Sequence, residues 1–205
     1  MTTLSKSQLQ ANVVDKKDSR KILHGIYVNH EESVSTDGKR LLRIKHQEQR
    51  DDFIIPVEKE FQEGESLVIP VDEAKSMASM MATNLKTAPR PVYQGLVIEP
   101  NLPRKAKCKL TGKGGLRNLV EINSIPIEGS YPNYKQVMPT APPTMTLSFN
   151  VDLLTDLLVQ VKKVMKERCA SYEFVDIEII DPQSPIIFKN KTAGVEGLIM
   201  PMRQR

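Results

Sequence analysis

The clearest periodic pattern of apolar and polar positions runs from Val151 to Arg168. Apolar residues recur there at spacings of three and four, which places them on one face of an α-helix; they are Val151, Leu154, Leu157, Leu158, Val161 and Met165. Asn150 precedes the pattern and is a good N-cap residue. Acids come early and lysines late, an order that complements the helix dipole. We therefore predict a helix over 151–168 that begins after Asn150.

A second helical pattern covers residues 72–82, and acids occupy its first turn, where the helix dipole favours them. Its apolar face contains Ala74, Met77, Ala78 and Met81. We assign Met77, Met80 and Met81 to the core rather than to a partner surface. The polar residues 1–20 are predicted to form a short helix or an arm.

Short runs rich in β-branched and aromatic residues, bounded by turn residues, predict strands. They are 22–28, 41–44, 53–57, 92–99, 106–110, 118–125, 175–179, 185–189 and 195–200. A unit of one helix and three strands thus occurs at about 68–125 and again at 146–202, and about 20–57 resembles the same unit with its helix reduced. The Pro-Thr-Ala-Pro-Pro segment 139–143 is a stiff linker. This order predicts an α+β protein of antiparallel sheets with a few helices packed on one side.

Composition narrows the function classes. The 205 residues are 40% hydrophobic and 26% charged, as in an ordinary globular protein. No apolar run approaches the ~20 residues of a membrane span, and the first six residues lack an apolar signal core. Cys108 and Cys169 fit no metal spacing, so we expect free thiols in a cytoplasmic protein. The net charge of +4 permits contact with nucleic acid, whereas the absence of Trp argues against a base-stacking platform for single strands.

No set of residues in the sequence has the pattern of a catalytic or metal site. His24, His30 and His46 share no metal-ligand spacing, and no pair of carboxylates stands out as acid and base. Residues 111–115 (Thr-Gly-Lys-Gly-Gly) lack the spacing of a phosphate-binding loop and are predicted to form a hairpin turn. We therefore expect no enzymatic activity, no cofactor and no metal.

Three stretches carry a family resemblance. Residues 23–28 (Leu-His-Gly-Ile-Tyr-Val) lead to 36–41 (Thr-Asp-Gly-Lys-Arg-Leu); residues 128–139 read Glu-Gly-Ser-Tyr-Pro-Asn-Tyr-Lys-Gln-Val-Met-Pro; and 147–151 with the helix lead to a terminal Met-Pro-Met-Arg at 200–203. In this order they resemble the bacterial DNA sliding clamp, the beta subunit of DNA polymerase III. Lys39 stands where the family usually has His, and Gln136 where it tends to have Arg.

The resemblance implies a sliding-clamp fold of about three helix-plus-sheet units. Residues 1–140 resemble the middle domain of the clamp, and 144–205 resemble the second half of its last domain. The first domain and the front half of the last domain have no counterpart in the chain. In the family, these same stretches form a pocket that binds short peptides of polymerases and other partners. By matched position, its lining here is Thr36, Gly38, Lys39, Arg40, Leu41, Pro132, Gln136, Val137, Leu198, Met200, Pro201 and Met202.

Two groups of basic residues are candidates to face the DNA backbone. The first is a run without acids, and it comprises Arg104, Lys105, Lys107, Lys109, Lys113 and Arg117. A DNA-facing surface and a solvated hairpin explain this run about equally well. The second group is Lys162, Lys163 and Lys166 on the long helix, where neighbouring acids favour a solvated face.

Two functions of different classes remain open. In one, several copies close a ring around duplex DNA without reading its sequence and tether DNA polymerase or other replication and repair proteins through the peptide pocket. In the other, the chain is a peptide-binding module that recruits or sequesters replication proteins without encircling DNA. Neither function involves a membrane.

Overall fold

The structure is a computed structural model, and it describes residues 3–4, 6–10, 12–46, 63–80, 93–101, 105–112, 120–168 and 174–202. The chain divides into two compact units, Met1–Asn133 and Tyr134–Arg205. In the described residues, no helix is both long and apolar enough to cross a lipid bilayer.

Unit 1 contains eight of the described strands and two helices. In chain order they are β1 (Thr3–Leu4), α1 (Lys6–Gln10), β2 (Gly25–Asn29), β3 (Glu32–Thr36), β4 (Leu41–Lys45), β5 (Ser66–Pro70), α2 (Val71–Met80), β6 (Tyr93–Asn101), β7 (Lys105–Gly112) and β8 (Val120–Ser124), with a 3-10 turn at Lys21–His24 before β2. The order of one strand, one helix and three strands therefore occurs twice in succession.

The two repeats of unit 1 exchange their first strands. One sheet has the order β4-β3-β2-β5 and the other β1-β6-β7-β8, and all neighbours are antiparallel. Thus β5, which opens the second repeat, pairs with β2 of the first, with Ile26 opposite Ile69. In return β1 pairs with β6, with Leu4 opposite Leu96. Each repeat therefore needs the other to complete its sheet.

The core of unit 1 forms between the repeats because of this exchange. Its main cluster is buried and draws on β1, both helices, β2 and β5; the members are Leu4, Leu9, Ile26, Val28, Ile69, Ala74, Met77 and Ala78. Leu4 and Leu9 are fully buried. The polar N-terminal segment is therefore an integral part of the unit rather than a free arm.

Unit 2 contains one helix followed by three strands. It has a 3-10 turn at Tyr134–Val137, then α3 (Val151–Arg168), β9 (Asp176–Glu178), β10 (Ile186–Asn190) and β11 (Val195–Ile199). The sheet has the order β11-β10-β9 and is antiparallel. Leu157, Val161 and Met165 of α3 pack toward this sheet, beside Val195. Residues 138–150, between the turn and α3, form neither helix nor strand.

Most predicted elements are present, and the α+β class is confirmed. Helix α3 has the predicted bounds, and Asn150 caps it: its Oδ1 accepts from the backbone N–H of Asp152 at 2.9 Å and of Leu153 at 3.1 Å. The predicted strand at 53–57 lies outside the described residues. Strands β3 and β5 were not predicted. Strand β3 carries buried polar residues instead of an apolar pattern.

Several side chains differ from their predicted environment. Residues 21–24 form a 3-10 turn, so the strand predicted at 22–28 begins only at Gly25. The assignment of Met80 to the core is wrong, because this side chain is 47% exposed on α2, whereas Met77 is buried. Val151, predicted on the apolar face of α3, is 75% exposed, and Ile177 on β9 is 56% exposed.

Candidate peptide-docking site

The Thr-Asp-Gly turn between β3 and β4 is held by its own side chains. The Thr36 hydroxyl donates to the carbonyl of Arg40 at 2.6 Å and accepts from the N–H of Gly38 at 3.0 Å. Asp37 Oδ1 accepts from the N–H groups of Lys39 and Arg40 at 2.9 and 2.7 Å. Short polar side chains that bond nearby backbone groups favour such turns. The sequence therefore specifies this turn locally.

Arg40 is bound within the turn. Its Nε and Nη2 donate to Asp37 Oδ2 at 2.9 and 2.7 Å, although the Arg40 side chain is 69% exposed. The hydrogen bonds from the Arg40 guanidinium and from the backbone lower the pKa of Asp37 to about 2. Arg40 therefore presents a guanidinium that is already paired with a carboxylate, while Lys39 beside it is exposed.

Glycine is required at the centre of this turn. Gly38 has φ +81°, a conformation that L side chains rarely adopt. A Cβ there would also lie 2.7 Å from Nη2 of Arg20, which is itself fixed by two hydrogen bonds to Asp18. Arg20 thus lies over the turn and adds a third basic side chain to this surface. Its position could not be predicted from the spacing of the motif.

The segment before Pro132 is anchored on the same sheet. The Tyr131 ring stacks on Tyr27 of β2, with the centroids 5.0 Å apart and an interplanar angle of 29°. Its hydroxyl lies 3.4 Å from the carbonyl of Val34, and burial raises the pKa of Tyr131 to about 12. Val34 lies on β3, whose last residue is Thr36. Pro132 is exposed next to this anchor.

Unit 2 contains a cleft of about 600 Å³. Its lining comprises Thr146, Leu147, Ser148, Pro182, Gln183, Met200, Pro201 and Met202. Two sets of hydrogen bonds from backbone N–H groups shape this cleft. The N–H of Met202 donates to the carbonyl of Ser148 at 2.7 Å, and Asp181 Oδ1 accepts from the N–H groups of Gln183 and Ser184 at 2.7 and 2.8 Å. A cleft of this size matches that of many ligand sites in proteins.

An exposed apolar ridge continues from this cleft along β11. Leu198 is 62% exposed, Met200 57% and Met202 55%. Successive side chains on a strand point to opposite faces of the sheet, so exposed Leu198 lies on the face opposite that of buried Ile199. We call Leu198, Met200 and Met202 the C-terminal ridge. Flexible methionine side chains adapt to varied apolar partners.

The predicted pocket residues fall into two groups. Unit 1 holds Thr36, Gly38, Lys39, Arg40 and Leu41 at the turn, with Pro132 on the anchored segment. Unit 2 holds the other six: Gln136 and Val137 are exposed in its 3-10 turn, and Leu198, Met200, Pro201 and Met202 form the ridge and part of the cleft. Within unit 2 the structure brings together Met200, Pro201 and Met202.

Sequence reasoning missed five residues of the cleft. Thr146, Leu147 and Ser148 precede α3, and Pro182 and Gln183 follow β9. The Asp-Pro-Gln-Ser run at 181–184 was a recognisable turn signal. Nothing in the sequence indicated that this turn faces the end of β11, because that proximity is tertiary.

The DNA-facing candidates are only partly described. Arg104, Lys113 and Arg117 lie outside the described residues. Lys105, Lys107 and Lys109 belong to β7, in register with Asn101, Glu99 and Val97 of β6. Lys162, Lys163 and Lys166 are exposed on α3, and so are the acids Asp152, Asp156 and Glu167 of the same helix. Among the described residues, no group of three or more His, Cys, Asp or Glu side chains could hold a metal ion.

Comparison with known proteins gives a result at the level of structure alone. No protein-family model matches the sequence, and no curated protein sequence matches it. The structure is similar to the DNA polymerase III beta chain of Streptococcus pneumoniae TIGR4, with 18% identity and a TM-score of 0.63 over 98% of this chain and 49% of that chain.

Two further clamps match in the same way. The first is the beta sliding clamp of C. crescentus, with 16% identity and a TM-score of 0.58 over 97% of this chain. The second is the DNA polymerase III beta subunit of Thermotoga maritima, with 16% identity and a TM-score of 0.58 over 98% of this chain. The chain spans about half the length of each of these proteins, at 49%. The resemblance predicted from the sequence is therefore confirmed in three dimensions: the chain has the sliding-clamp fold of bacterial DNA polymerase III beta subunits.

Proposed function

We propose that the chain is a clamp-type replication factor that holds partner proteins at duplex DNA by binding short peptides from them. The observation that carries the proposal is the cleft at Met200–Met202 and the C-terminal ridge beside it, on a chain with the sliding-clamp fold. In the C. crescentus clamp, polyethylene glycol is bound to a region proposed for beta-motif tethering, which supports peptide docking as a role for a protein of this fold.

The chemistry of the site favours a peptide with apolar anchors. Leu198, Met200 and Met202 are more than half exposed, and burial of such side chains against Leu or Phe of a peptide gains roughly 25 cal/mol per Å². On unit 1, taken by itself, Lys39 presents a positive charge that suits polar or acidic groups of a partner. Arg40 contributes shape and hydrogen-bond donors more than net charge, since Asp37 neutralises it.

The test of docking is a titration of a fluorescently labelled peptide that carries leucine and phenylalanine anchors, followed by anisotropy. We expect saturable binding that weakens at least tenfold in the Met200→Ala, Met202→Ala double variant. Met80→Ala is the matched control, because Met80 is a similarly exposed methionine on α2. Absence of binding, or equal binding by both variants, would contradict peptide docking.

Sequence-independent binding of duplex DNA is the second part of the proposal. A ring of several copies would be retained on a nicked circular DNA and lost when that DNA is cut, because only a topological link depends on closed DNA. The alternative function, peptide binding without encirclement, is favoured by α3, where Asp152, Asp156 and Glu167 offset its lysines. Equal retention on circular and cut DNA would select this alternative and leave the docking proposal standing.

A further inference from the structure

The methionines of the chain differ widely in exposure. Met77 and Met165 are 1% and 4% exposed and belong to hydrophobic clusters of unit 1 and unit 2. Met200 and Met202 are 57% and 55% exposed, the highest values among the methionines that the structure describes. Oxidants act on the thioether sulfur of methionine where they can reach it. The exposed pair is therefore accessible to a dissolved oxidant, whereas the core methionines are shielded.

The backbone fixes this exposed pair at the cleft of unit 2. Ile199, which ends β11, is 8% exposed and belongs to a core cluster of the unit. Three residues further on, the N–H of Met202 donates to the carbonyl of Ser148 at 2.7 Å. The segment between these two anchors lines the cleft. The two thioethers thus belong to a formed site and not to a frayed end of the chain.

The cleft is separate from the methionine in the core of unit 2. Leu147 lines the cleft and also packs against the cluster of Ile186, Phe188 and Ile199. Met165 lies in the other cluster of the unit, on the inward side of α3. An oxidant in solution therefore reaches the docking surface before it reaches the sulfur that packs in the core.

Oxidation converts an apolar thioether into a polar sulfoxide. The sulfur donates a lone pair to one oxygen of hydrogen peroxide, and the O–O bond breaks. The proton of the transferred oxygen passes to the departing hydroxide, which leaves as water. The sulfur loses two electrons and the peroxide gains them, so the step needs no other reactant. The product carries an oxygen that costs free energy when an apolar group covers it without a hydrogen bond.

We propose that Met200 and Met202 form a reversible oxidation site, through which an oxidant of the peroxide class switches off peptide docking. The inference rests on the docking function proposed above and adds its regulation. Apolar anchors of the peptide cover two thioethers in the reduced protein and two sulfoxides in the oxidised protein. Two thiols of a reductant return each sulfoxide to the thioether, with release of water and formation of one disulfide, so the site is resettable.

The test compares the affinity of the labelled peptide before and after the full chain is treated with hydrogen peroxide. Catalase then removes the peroxide, and dithiothreitol reduces oxidised thiols but leaves the sulfoxides. We expect mass spectrometry to find sulfoxides at Met200 and Met202 before it finds them at Met77 and Met165. Peptide binding weakens by about tenfold or more, because the buried sulfoxide oxygens lack partners. Methionine sulfoxide reductases, one for each epimer, restore the affinity.

Variants without sulfur identify the responsible side chains. For Met200→Leu, Met202→Leu the measured quantity is the ratio of affinities before and after peroxide, so its own starting affinity does not enter. We expect a ratio near one for this variant. Met80→Leu is the control, because Met80 is 47% exposed on α2, and it keeps the loss seen in the unchanged chain. An equal loss in the leucine double variant would overturn the proposal.

Protection by the peptide tests the site without any substitution. At a peptide concentration of about ten times Kd, we expect sulfoxide formation at Met200 and Met202 to slow by about tenfold, because only the free protein reacts. The rate at Met80 stays the same, and equal rates at all three would overturn the proposal. If the untreated chain binds no peptide, the docking function fails and the inference falls with it. If the untreated and oxidised chains bind equally, only the oxidation site fails.

Discussion

Glu32 is an acid in the interior of unit 1. Its side chain is fully buried on β3 and pairs with Nε of Arg43 on β4, a side chain that is 31% exposed. Its backbone N–H donates to Oδ1 of Asn29 at 2.8 Å. A buried carboxylate is tolerated when it is paired and hydrogen-bonded. This explains how β3 can carry Glu32 in a buried strand.

Arg43→Met removes the guanidinium and leaves the buried Glu32 carboxylate without this partner. We expect the free energy of unfolding to fall by about 3 kcal/mol, because loss of one partner of a buried ion pair is strongly destabilising. Urea denaturation followed by circular dichroism measures the change. Arg43→Lys keeps the charge and is the control; an equal loss in both variants would show that the charge is not the cause.

His46 makes the stability of unit 1 depend on pH. Its Nδ1 lies 2.9 Å from Nε2 of Gln8 and its Nε2 lies 3.0 Å from the carbonyl of Asn29, which suits a neutral imidazole. Burial lowers the pKa of His46 below its usual value of 6.5. The unfolded chain therefore takes up this proton at a higher pH than the folded chain does, and stability falls as the pH drops below about 6.5.

The measurement is the urea midpoint of unfolding between pH 7.5 and pH 5. His46→Gln cannot take up this proton, so we expect a smaller loss of stability over the same interval than in the unchanged chain. Parallel curves for the two proteins would contradict the assignment.

At the scale of elements, local sequence signals were sufficient to predict an element that is stabilised by its own residues. Helix α3 was predicted with its bounds, because its period and the Asn150 cap are both local. The Thr-Asp-Gly turn was likewise evident. Strand β3 was not, since its buried Glu32, Ser33 and Ser35 follow no apolar pattern. Glu32 and Ser35 instead have partners outside β3, the guanidinium of Arg43 and the N–H of Val13.

Asn150→Ala removes the side-chain acceptor of two N–H groups at the start of α3. We expect a loss of about 1 kcal/mol in the stability of unit 2, the usual effect of a lost N-cap. Asn150→Asp retains the acceptor and is the control. Denaturant unfolding of both variants tests this, and a loss as large in Asn150→Asp would point to a role other than capping.

Gly25 lies where strands β2 and β5 approach each other closely. A Cβ at this position would lie 2.5 Å from Cγ1 of Val68 and 2.6 Å from the carbonyl oxygen of Ile69. Both atoms belong to β5, the strand that pairs with β2 here. Gly25→Ala therefore forces β5 away from β2, and we expect a loss of about 1–3 kcal/mol in urea unfolding, as for other overpacked sites. Gly64→Ala is a poor control because of its positive φ, so the comparison is with the unchanged chain.

At the scale of the whole molecule, the two units have separate cores. The main cluster of unit 1 forms between its repeats, whereas the clusters of unit 2 lie between α3 and its own sheet. We expect urea unfolding in two steps. Arg43→Met shifts the step of unit 1, and Asn150→Ala shifts the step of unit 2. A single step moved equally by both variants would contradict separate cores.

The sequence by itself determined the features that depend on near neighbours in the chain. These are the period and cap of α3, the self-bonded turn at Thr36–Arg40, the apolar Met-Pro-Met end and the order of repeats, because each rests on contacts within a few residues or on a side-chain period. Tertiary structure alone decided the exchange of first strands, the burial of Glu32, the lining of the cleft by 146–148 and 182–183, and the exposure of Val151 on α3. Each of these depends on which distant segment lies opposite, and a one-dimensional pattern does not record that choice.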